Sequence, residues 1–292
     1  MSLSVSLSQR RICGLLQLNR SSLWRVERDL QSQQGKRNSK VVNLDSARAR
    51  KTLVEAVQKV IKQHLTWGYR RVRAWLVRRE GFTVSKKTVQ RIMQDNGWQV
   101  RNRRQTPRPR VQVSASKASV PNERWAIDAT SCWSKQGWIG IMAVIDCCRR
   151  QIVGLHVSQR GRAQEAEATL EQGCLEQFGL LFAKPGEHRP VLRSDNGKVF
   201  TSGRFVGRCR QYGLSQEFIT PYTPQQNGMI ERFFRSLKEE CIWLHNFQGV
   251  QQARETIEKW VQFYNQLRPH QALDYLSPDE FRALFHSAAQ VA

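Results

Sequence analysis

The first 120 residues are short of acid. They hold 6 Asp+Glu against 27 Lys+Arg, a net of +21, whereas residues 121–292 hold 18 against 20. Nearly all of the formal charge of +23 therefore belongs to the front of the chain. Such asymmetry implies a nucleic-acid-binding region joined to a nearly neutral globular one, and 292 residues are enough for about two domains. Long apolar runs are missing too. The longest, Ile139 to Ile145, contains Gly140 and stops at Asp146, well short of the roughly 20 apolar residues of a membrane helix. The start, MSLSVSLSQRRICG, lacks the n-region, apolar core and cleavage pattern of a signal peptide, so a cytoplasmic protein without membrane contact is expected. Seven cysteines occur, at 13, 132, 147, 148, 174, 209 and 241, with no Cys-x-x-Cys pair and no His/Cys cluster at zinc spacing. They read as reduced, half-buried small hydrophobes. No Walker A sequence is present, which tells against ATP use. No His-x-x-Arg occurs, which tells against tyrosine recombinases. No heptad zipper is visible.

What is present begins with helices. SQRRICGLLQLNRSSLWRVERDL reads as two short helices, with Ile12, Leu15, Leu16 and Leu18 on one face and Ser21 or Ser22 as the second cap. The spacing fits a helix-turn-helix and an ordinary helical hairpin equally well. A second helical unit runs from Ala47 to Val100. Leu53, Val54, Val57, Val60 and Ile61 give its first helix an apolar face. The next, WGYRRVRAWLVRRE, turns Val72, Trp75 and Leu76 inward and Arg70, Arg71 and Arg73 largely outward. Ser85 caps a third helix that buries Val89, Ile92 and Met93 and exposes Lys86, Lys87, Gln90, Arg91 and Gln94. Basic and amide side chains near the start of a short helix suit reading of the DNA major groove. Residues 101–123 hold five arginines and three prolines and almost no large apolar residue, so they form a linker; Arg101, Arg103 and Arg104 are placed to lie along phosphates.

From Arg124 the pattern becomes α/β. RWAIDAT is a strand, and GWIGIMAVIDC and RRQIVGLHVS, joined near Cys147–Arg149, form an antiparallel hairpin of two more. RAQEAEATLEQGCLEQFGL is a helix with Ala163, Ala166, Leu170, Cys174, Leu175 and Phe178 on roughly one face. A short buried strand, RPVLRSDN, a helix, SGRFVGRCRQYG, a strand, QEFIT, and a long helical region complete the order. The expected plan is an N-terminal helix-turn-helix-like segment (1–45), a second helix-turn-helix domain (46–100), the basic linker (101–123) and a catalytic core with C-terminal helices (124–292).

Three carboxylates stand out. Asp128 and Asp195 close apolar strands, and Glu231 lies in the helical stretch PQQNGMIERFFRSLKEE, with 35 residues between Asp195 and Glu231. Each has an ordinary alternative: a strand-end acid, the turn chemistry of Ser-Asp-Asn-Gly, a helical glutamate. Together, on separate elements, they are the oxygen ligands that a site for two divalent metals needs. Glu231, Arg235 and Lys238 share one helix face, and Ile230, Phe233, Phe234, Leu237, Cys241 and Leu244 form the other.

This set resembles the DDE transposases and retroviral integrases, and within them the OrfB-type transposases of bacterial insertion sequences. WGYRRVRAWL followed by SKKTVQRIM resembles the helix-turn-helix unit ahead of their core, and WVQFYNQLRPHQALDYLSPDEF their closing segment. The resemblance covers about residues 50–285. It implies a ribonuclease-H-like core, a five-stranded mixed sheet with helices on both faces. It also implies metal-dependent DNA cleavage and strand transfer by Asp128, Asp195 and Glu231 with two Mg²⁺ or Mn²⁺ ions. Lys238, and Arg235 beside it, would hold DNA near the metals; pairing with Glu231 or Glu239 is the alternative. Asp146 reads as structural, and Tyr264, Asn265, Arg268, Pro269 and His270 as ordering the end of the core. Arg193 stands where many relatives place His. Double-stranded DNA, both element ends and target, is the implied partner. A homo-oligomer on DNA and fusion or partnership with an upstream reading-frame product are further expectations. A non-catalytic DNA-binding regulator and a ribonuclease-H-like nuclease are the competing functions.

Overall fold

The computed structural model describes residues 47–100, 118–220 and 224–289. The expected helices within 1–45, and the linker residues Arg101, Arg103 and Arg104, lie outside them. The described chain groups into two compact units, residues 47–100 with 267–289 and residues 118–266.

The helical unit contains α1 (Ala47–Gln63), α2 (Tyr69–Arg78) and α3 (Lys86–Asp95). Their apolar faces close on one another: Leu53, Val57 and Val60 meet Val72 and Leu76, and Val89, Ile92 and Met93 of α3 are buried with them. Trp67, between α1 and α2, is buried and stacks on His64 at 3.8 Å. Ser85 caps α3 as expected, its Oγ accepting from the Thr88 amide at 3.1 Å. The C-terminal helix, Pro278–Ala289, belongs to this unit, with Arg79 Nη2 2.9 Å from Glu280 Oε1. This grouping departs from the expected plan, which assigned everything from 124 to 292 to the core. The ion pair with α2's C-terminal end and the buried Leu276 and Phe281 account for the difference.

The second unit is built on a five-stranded sheet of order β3-β2-β1-β4-β5. β1 (Arg124–Ser134), β2 (Gly137–Asp146) and β3 (Ile152–Ser158) form an antiparallel meander; β4 (Val191–Ser194) and β5 (Ser215–Phe218) run parallel to β1. Alternation of side chains along β1 and β2 creates two cores. On one face Trp125, Ile127, Met142 and Val144 pack with α4 (Ala163–Phe178) and α5 (Gly203–Gln211). On the other, Ala126, Ile141 and Ala143 pack with α6 (Gly228–Glu240) and α7 (Val250–Gln266). Gly154 lets β3 approach α4 closely, since a Cβ there would stand 2.1 Å from the Thr169 carbonyl oxygen. Two expected inward residues face out instead. Leu175 near the end of α4 is 49% exposed, and Leu244, where a 3₁₀ turn (Ile242–Leu244) follows α6, is 54% exposed. The helical period that put Leu244 on the buried face ends at Cys241.

Asn265 joins α7 to β3 in the manner of a strand neighbour. Its Oδ1 accepts from the Ile152 amide and its Nδ2 donates to the Ile152 carbonyl, both at 2.9 Å. The six cysteines among the described residues are free and buried. Burial pushes the Cys147, Cys148, Cys209 and Cys241 thiols up to about 12, so they stay protonated and unreactive.

Asp146 has the structural role its sequence position suggested. Fully buried, it accepts from the amides of Asn122 (2.7 Å), Cys148 (2.8 Å) and Arg149 (2.8 Å) and pairs with the Arg149 guanidinium at 3.1 Å. Arg149, also buried, donates in turn to Asn122 Oδ1 and Gln177 Oε1. The network ties the β2–β3 turn to the entrance of β1 and to α4. Replacing Asp146 strands a buried cation, so Asp146→Asn should cost about 3–5 kcal/mol in equilibrium denaturation. A loss below about 0.5 kcal/mol would show that the network does not hold the fold.

Candidate active site

Strand register positions the first two carboxylates. Ala126 of β1 pairs with Arg193 of β4 in a parallel ladder. Asp128 and Asp195 each lie two residues further on, so they stand level on neighbouring strands, which lie about 4.8 Å apart in a sheet. β4 ends just before Asp195, whereas β1 does not close at Asp128 as expected but runs on to Ser134 in its pairing with β2. Beyond Ala126 β1 has no β4 partner, and the edge beside Asp128 is open. Asp195 closes a tight turn: its Oδ1 accepts from the Gly197 amide at 2.9 Å. A Cβ at 197 would lie 2.8 Å from that oxygen, which explains the glycine.

Glu231 comes from the first turn of α6 and is exposed. The start of α6 is held to the sheet at two points. Asn227, buried at the N-cap position, directs its Nδ2 to the Ile127 carbonyl at 3.5 Å, immediately before Asp128. Arg193, buried in β4, supplies the second. Its Nη2 and Nε reach the two Glu217 carboxylate oxygens on β5 at 2.8 and 3.3 Å, and its Nη1 donates to the Gln226 carbonyl at 3.0 Å. Arg124 of β1 joins Glu217 at 3.3 Å. One glutamate thus gathers β1, β4 and β5, and one arginine carries that anchor to the residue before Asn227. The sequence showed Arg193 only as an odd residue beside Asp195; its partners are 24 and 33 positions away, and nothing local names them. Asn227, Glu217 and Gln226 carried no sequence signal that was used.

The electrostatics show the three acids acting on one another. The Asp128 carboxyl is raised from an ordinary 3.8 to about 6, chiefly by burial, with the Asp195 and Glu231 charges adding to the rise. The Ala129 amide, 2.8 Å from Asp128 Oδ1, and the Lys238 ammonium oppose it. Lys238 also lowers the Cys132 thiol, whose net shift is upward through burial. The cation two turns along α6 therefore contributes a favourable charge at Asp128. Arg235 is engaged differently, pairing with Glu239 at 3.5 Å on an exposed face. Among the described residues no three His, Cys, Asp or Glu side chains converge closely enough to form a closed ligand cage. Three like charges without a cation repel, and one of them lies on an exposed helix turn. The donor set, all carboxylate oxygen and partly desolvated, fits a hard divalent cation.

The helical unit places the remaining candidates. Lys86, Lys87 and Arg91 are exposed on α3, with Gln90 half-buried. Lys87, Thr88 and Arg91 line, with Arg50 of α1, a cleft of about 260 Å³. On α2 the arginines divide. Arg70 is exposed and donates to the Tyr69 hydroxyl at 3.1 Å. The Arg71 guanidinium lies 5.7 Å from the Trp67 ring. Arg73 Nε donates to the Val84 carbonyl at 2.9 Å and so fixes the approach to α3.

The raised Asp128 carboxyl has a pH consequence. Because the folded-state value lies above the unfolded one, stability from the neutral form is present below about pH 4 and is lost as pH rises through 6. In metal-free protein Asp128→Asn should therefore be more stable than wild type at pH 7.5, by at most about 3 kcal/mol, with the gap closing near pH 4. Millimolar Mn²⁺ should raise the melting temperature of wild type and not of the variant. A stability gap independent of pH would contradict the reading.

Comparison with known proteins agrees with this architecture. Two family matches described as integrase core domain cover residues 118–224 and 212–278, and an HTH-like domain matches residues 48–106. The chain is 30% identical over 286 residues to an insertion element IS476 uncharacterized 39.2 kDa protein of Xanthomonas euvesicatoria, covering 96% of this chain and 74% of that one. It is 29% identical to an insertion element IS407 uncharacterized 31.7 kDa protein of Burkholderia multivorans, over 98% and 94% of the two chains. It is 31% identical to a transposase for insertion sequence element IS904 of Lactococcus lactis, over 60% and 66%. With a ribonuclease-H-like sheet, an integrase core and a helix-turn-helix-like unit ahead of it, the chain belongs to the OrfB-type DDE transposases of bacterial insertion sequences.

Proposed function

We propose that Asp128, Asp195 and Glu231 form the catalytic centre of this DNA transposase and hold two Mg²⁺ or Mn²⁺ ions. The observation that supports this best is the shared field of the three carboxylates at the open edge of β1. Divalent ions bound there supply Lewis acidity toward phosphoryl oxygens and lower the pKa of water or a DNA 3′-hydroxyl. The chain's own residues orient the substrate. Asp128 within β1 and Asp195 just after β4 present two carboxylates, and Glu231 adds a third from a helix anchored by Asn227 and Arg193. Lys238, facing the same carboxylates, is placed to hold a phosphate beside the reacting one. No covalent bond between protein and DNA is required.

DNA affinity comes chiefly from the basic front of the chain. Lys86, Lys87, Gln90 and Arg91 on α3 are the proposed groove contacts, with Arg70 and Arg71 on α2 at the phosphates. Arg101, Arg103 and Arg104 extend this contact along the linker between the expected domains 46–100 and 124–292. Action as a homo-oligomer joining two element ends, partnership with an upstream reading-frame product, and residence in the bacterial cytoplasm complete the proposal. No helix among the described residues is long and apolar enough to cross a membrane.

Three outcomes follow. Asp195→Asn should abolish metal-dependent cleavage of DNA carrying the element ends while duplex binding stays within about twofold of wild type; retained cleavage would remove Asp195 from the centre. Arg193→Met should raise the Mn²⁺ concentration needed for half-maximal strand transfer by about 10- to 100-fold, with partial recovery in Arg193→Lys. An unchanged Mn²⁺ requirement would show that the clamp does not position Glu231. Lys238→Ala should lower strand transfer about tenfold or more at limiting DNA, since a charge-assisted contact is lost. Arg235→Ala, which breaks only an exposed pair, should change it little. Equal effects of the two substitutions would refute the distinction drawn between them.

A further inference from the structure

On one face the β1–β2 hairpin extends past its covering helices, while Cys132 and Ile139 on the other face stay buried. Trp133 and Trp138 are direct cross-strand partners near its tip, 61% and 64% exposed, with ring centroids 5.2 Å apart in a T-shaped arrangement. Both lie on the face that further along buries Trp125, Ile127, Met142 and Val144 under α4 and α5. Beyond Ala129 that cover is gone, and the two largest side chains of the hairpin face water. The tip is not loose. Ser134 Oγ donates to the Gly137 carbonyl at 2.9 Å, Lys135 N donates to the Phe247 carbonyl at 3.0 Å, and Ser134 bridges Phe247 at the strand edge. A rigid support holding two exposed indoles has an apolar surface that normally finds a partner.

The surroundings name the partner's chemistry. Gly140 shares the face of the two rings, and a Cβ there would lie 3.4–3.6 Å from the backbone of Arg160 and Gly161. β3 ends at Ser158, and the loop after it therefore crosses this face over Gly140, two residues from Trp138. Arg160, Arg162 and Lys135 are all exposed. Glu165 is the nearby acid, its carboxylate accepting from the Arg162 amide at 2.9 Å. Two aromatic faces ringed by cations form a platform for stacked bases with flanking phosphates.

Distance links this platform to the carboxylates. Trp133 lies five residues beyond Asp128 on the same strand, about 17 Å along it at 3.3 Å per residue, and this odd step puts it on the opposite face of the sheet. A DNA strand passing round the edge of β1 from one face to the other needs at least about five nucleotides. Between the two positions the edge of β1 carries no β4 strand.

We propose that Trp133 and Trp138, with Arg160, Arg162 and Lys135, form a binding site for unpaired bases of a DNA strand leaving the catalytic centre. Stacking there would hold the frayed strand away from its complement while the phosphodiester reacts at Asp128. The proposal rests on DNA as the substrate and on Asp128 at the catalytic centre, and its binding test is read without cleavage.

The test uses the full chain with two probes sharing one stem, a blunt duplex and a forked duplex ending in twelve unpaired thymidines. Wild type should bind the forked probe about tenfold more tightly than the blunt one. Trp133→Ala/Trp138→Ala should lose that preference while its affinity for the blunt probe and its melting temperature stay unchanged, because both rings are exposed. Trp133→Phe/Trp138→Phe should keep part of it. With 5-iodouracil placed along a strand that continues past the scissile phosphate, cross-links to the hairpin should peak about four to seven nucleotides away. The blunt probe reports the helical unit separately, so its loss would count against the groove contacts and not the hairpin. A wild type indifferent to the fork, an Ala variant that keeps the preference, or one that changes only its sedimentation would each overturn the proposal, the last in favour of a self-association face.

Discussion

Everything at the candidate centre depends on the parallel pairing of β1 with β4. Three residue pairs, ending at Ala126 and Arg193, fix the level at which both strands release their aspartates. A slip of one residue would turn one of the two carboxylates to the opposite face of the sheet. The register is protected from both sides, since Trp125 and Leu192 are buried in one core and Ala126 in the other. It is protected from beneath by the Asp146–Arg149 network, which takes hold of Asn122 two residues before β1 begins. The far strand contributes as well, because Glu217 of β5 binds cations from both β1 and β4.

The third carboxylate is held differently. Glu231 sits on an exposed turn at the start of a helix whose opposite face, Ile230, Phe233, Phe234 and Leu237, is locked into the core. That first turn follows a polar Gly/Pro-punctuated segment and is tied to the sheet by Asn227 and Arg193. The raised proton affinity of Asp128 comes chiefly from burial, and the other two charges add to it.

The sequence was informative where the signal was local or periodic. The strand closing before Asp195, the buried face of α6 up to Leu237, the Ser85 cap and the order of strands and helices could all be read from alternation, turn residues and apolar spacing, whereas β1 runs on past Asp128 to Ser134. The shared face of Glu231 and Lys238 followed from helical period alone, and the field of Lys238 at Asp128 agrees with it. Illegible features were those made by distant partners. Arg193 gains meaning only when β5 and the turn before α6 come beside it. Leu244 broke its period because the helix ended at Cys241, a tertiary outcome no spacing announces. The association of residues after Leu267 with the helical unit likewise rests on contacts such as Arg79 with Glu280, two hundred positions apart. Arg73, one of an outward-looking arginine row, proved to hold a backbone carbonyl, since a charged side chain's pattern in sequence does not say whether it faces DNA or its own fold.

The central claim is that two aspartates on neighbouring strands and one helix-borne glutamate form a single divalent-metal site. Anomalous diffraction from crystals of the protein with a DNA end and Mn²⁺ tests it most directly. The account predicts manganese held jointly by Asp128, Asp195 and Glu231. Manganese bound away from Asp128, or bound there without Glu231, would contradict it.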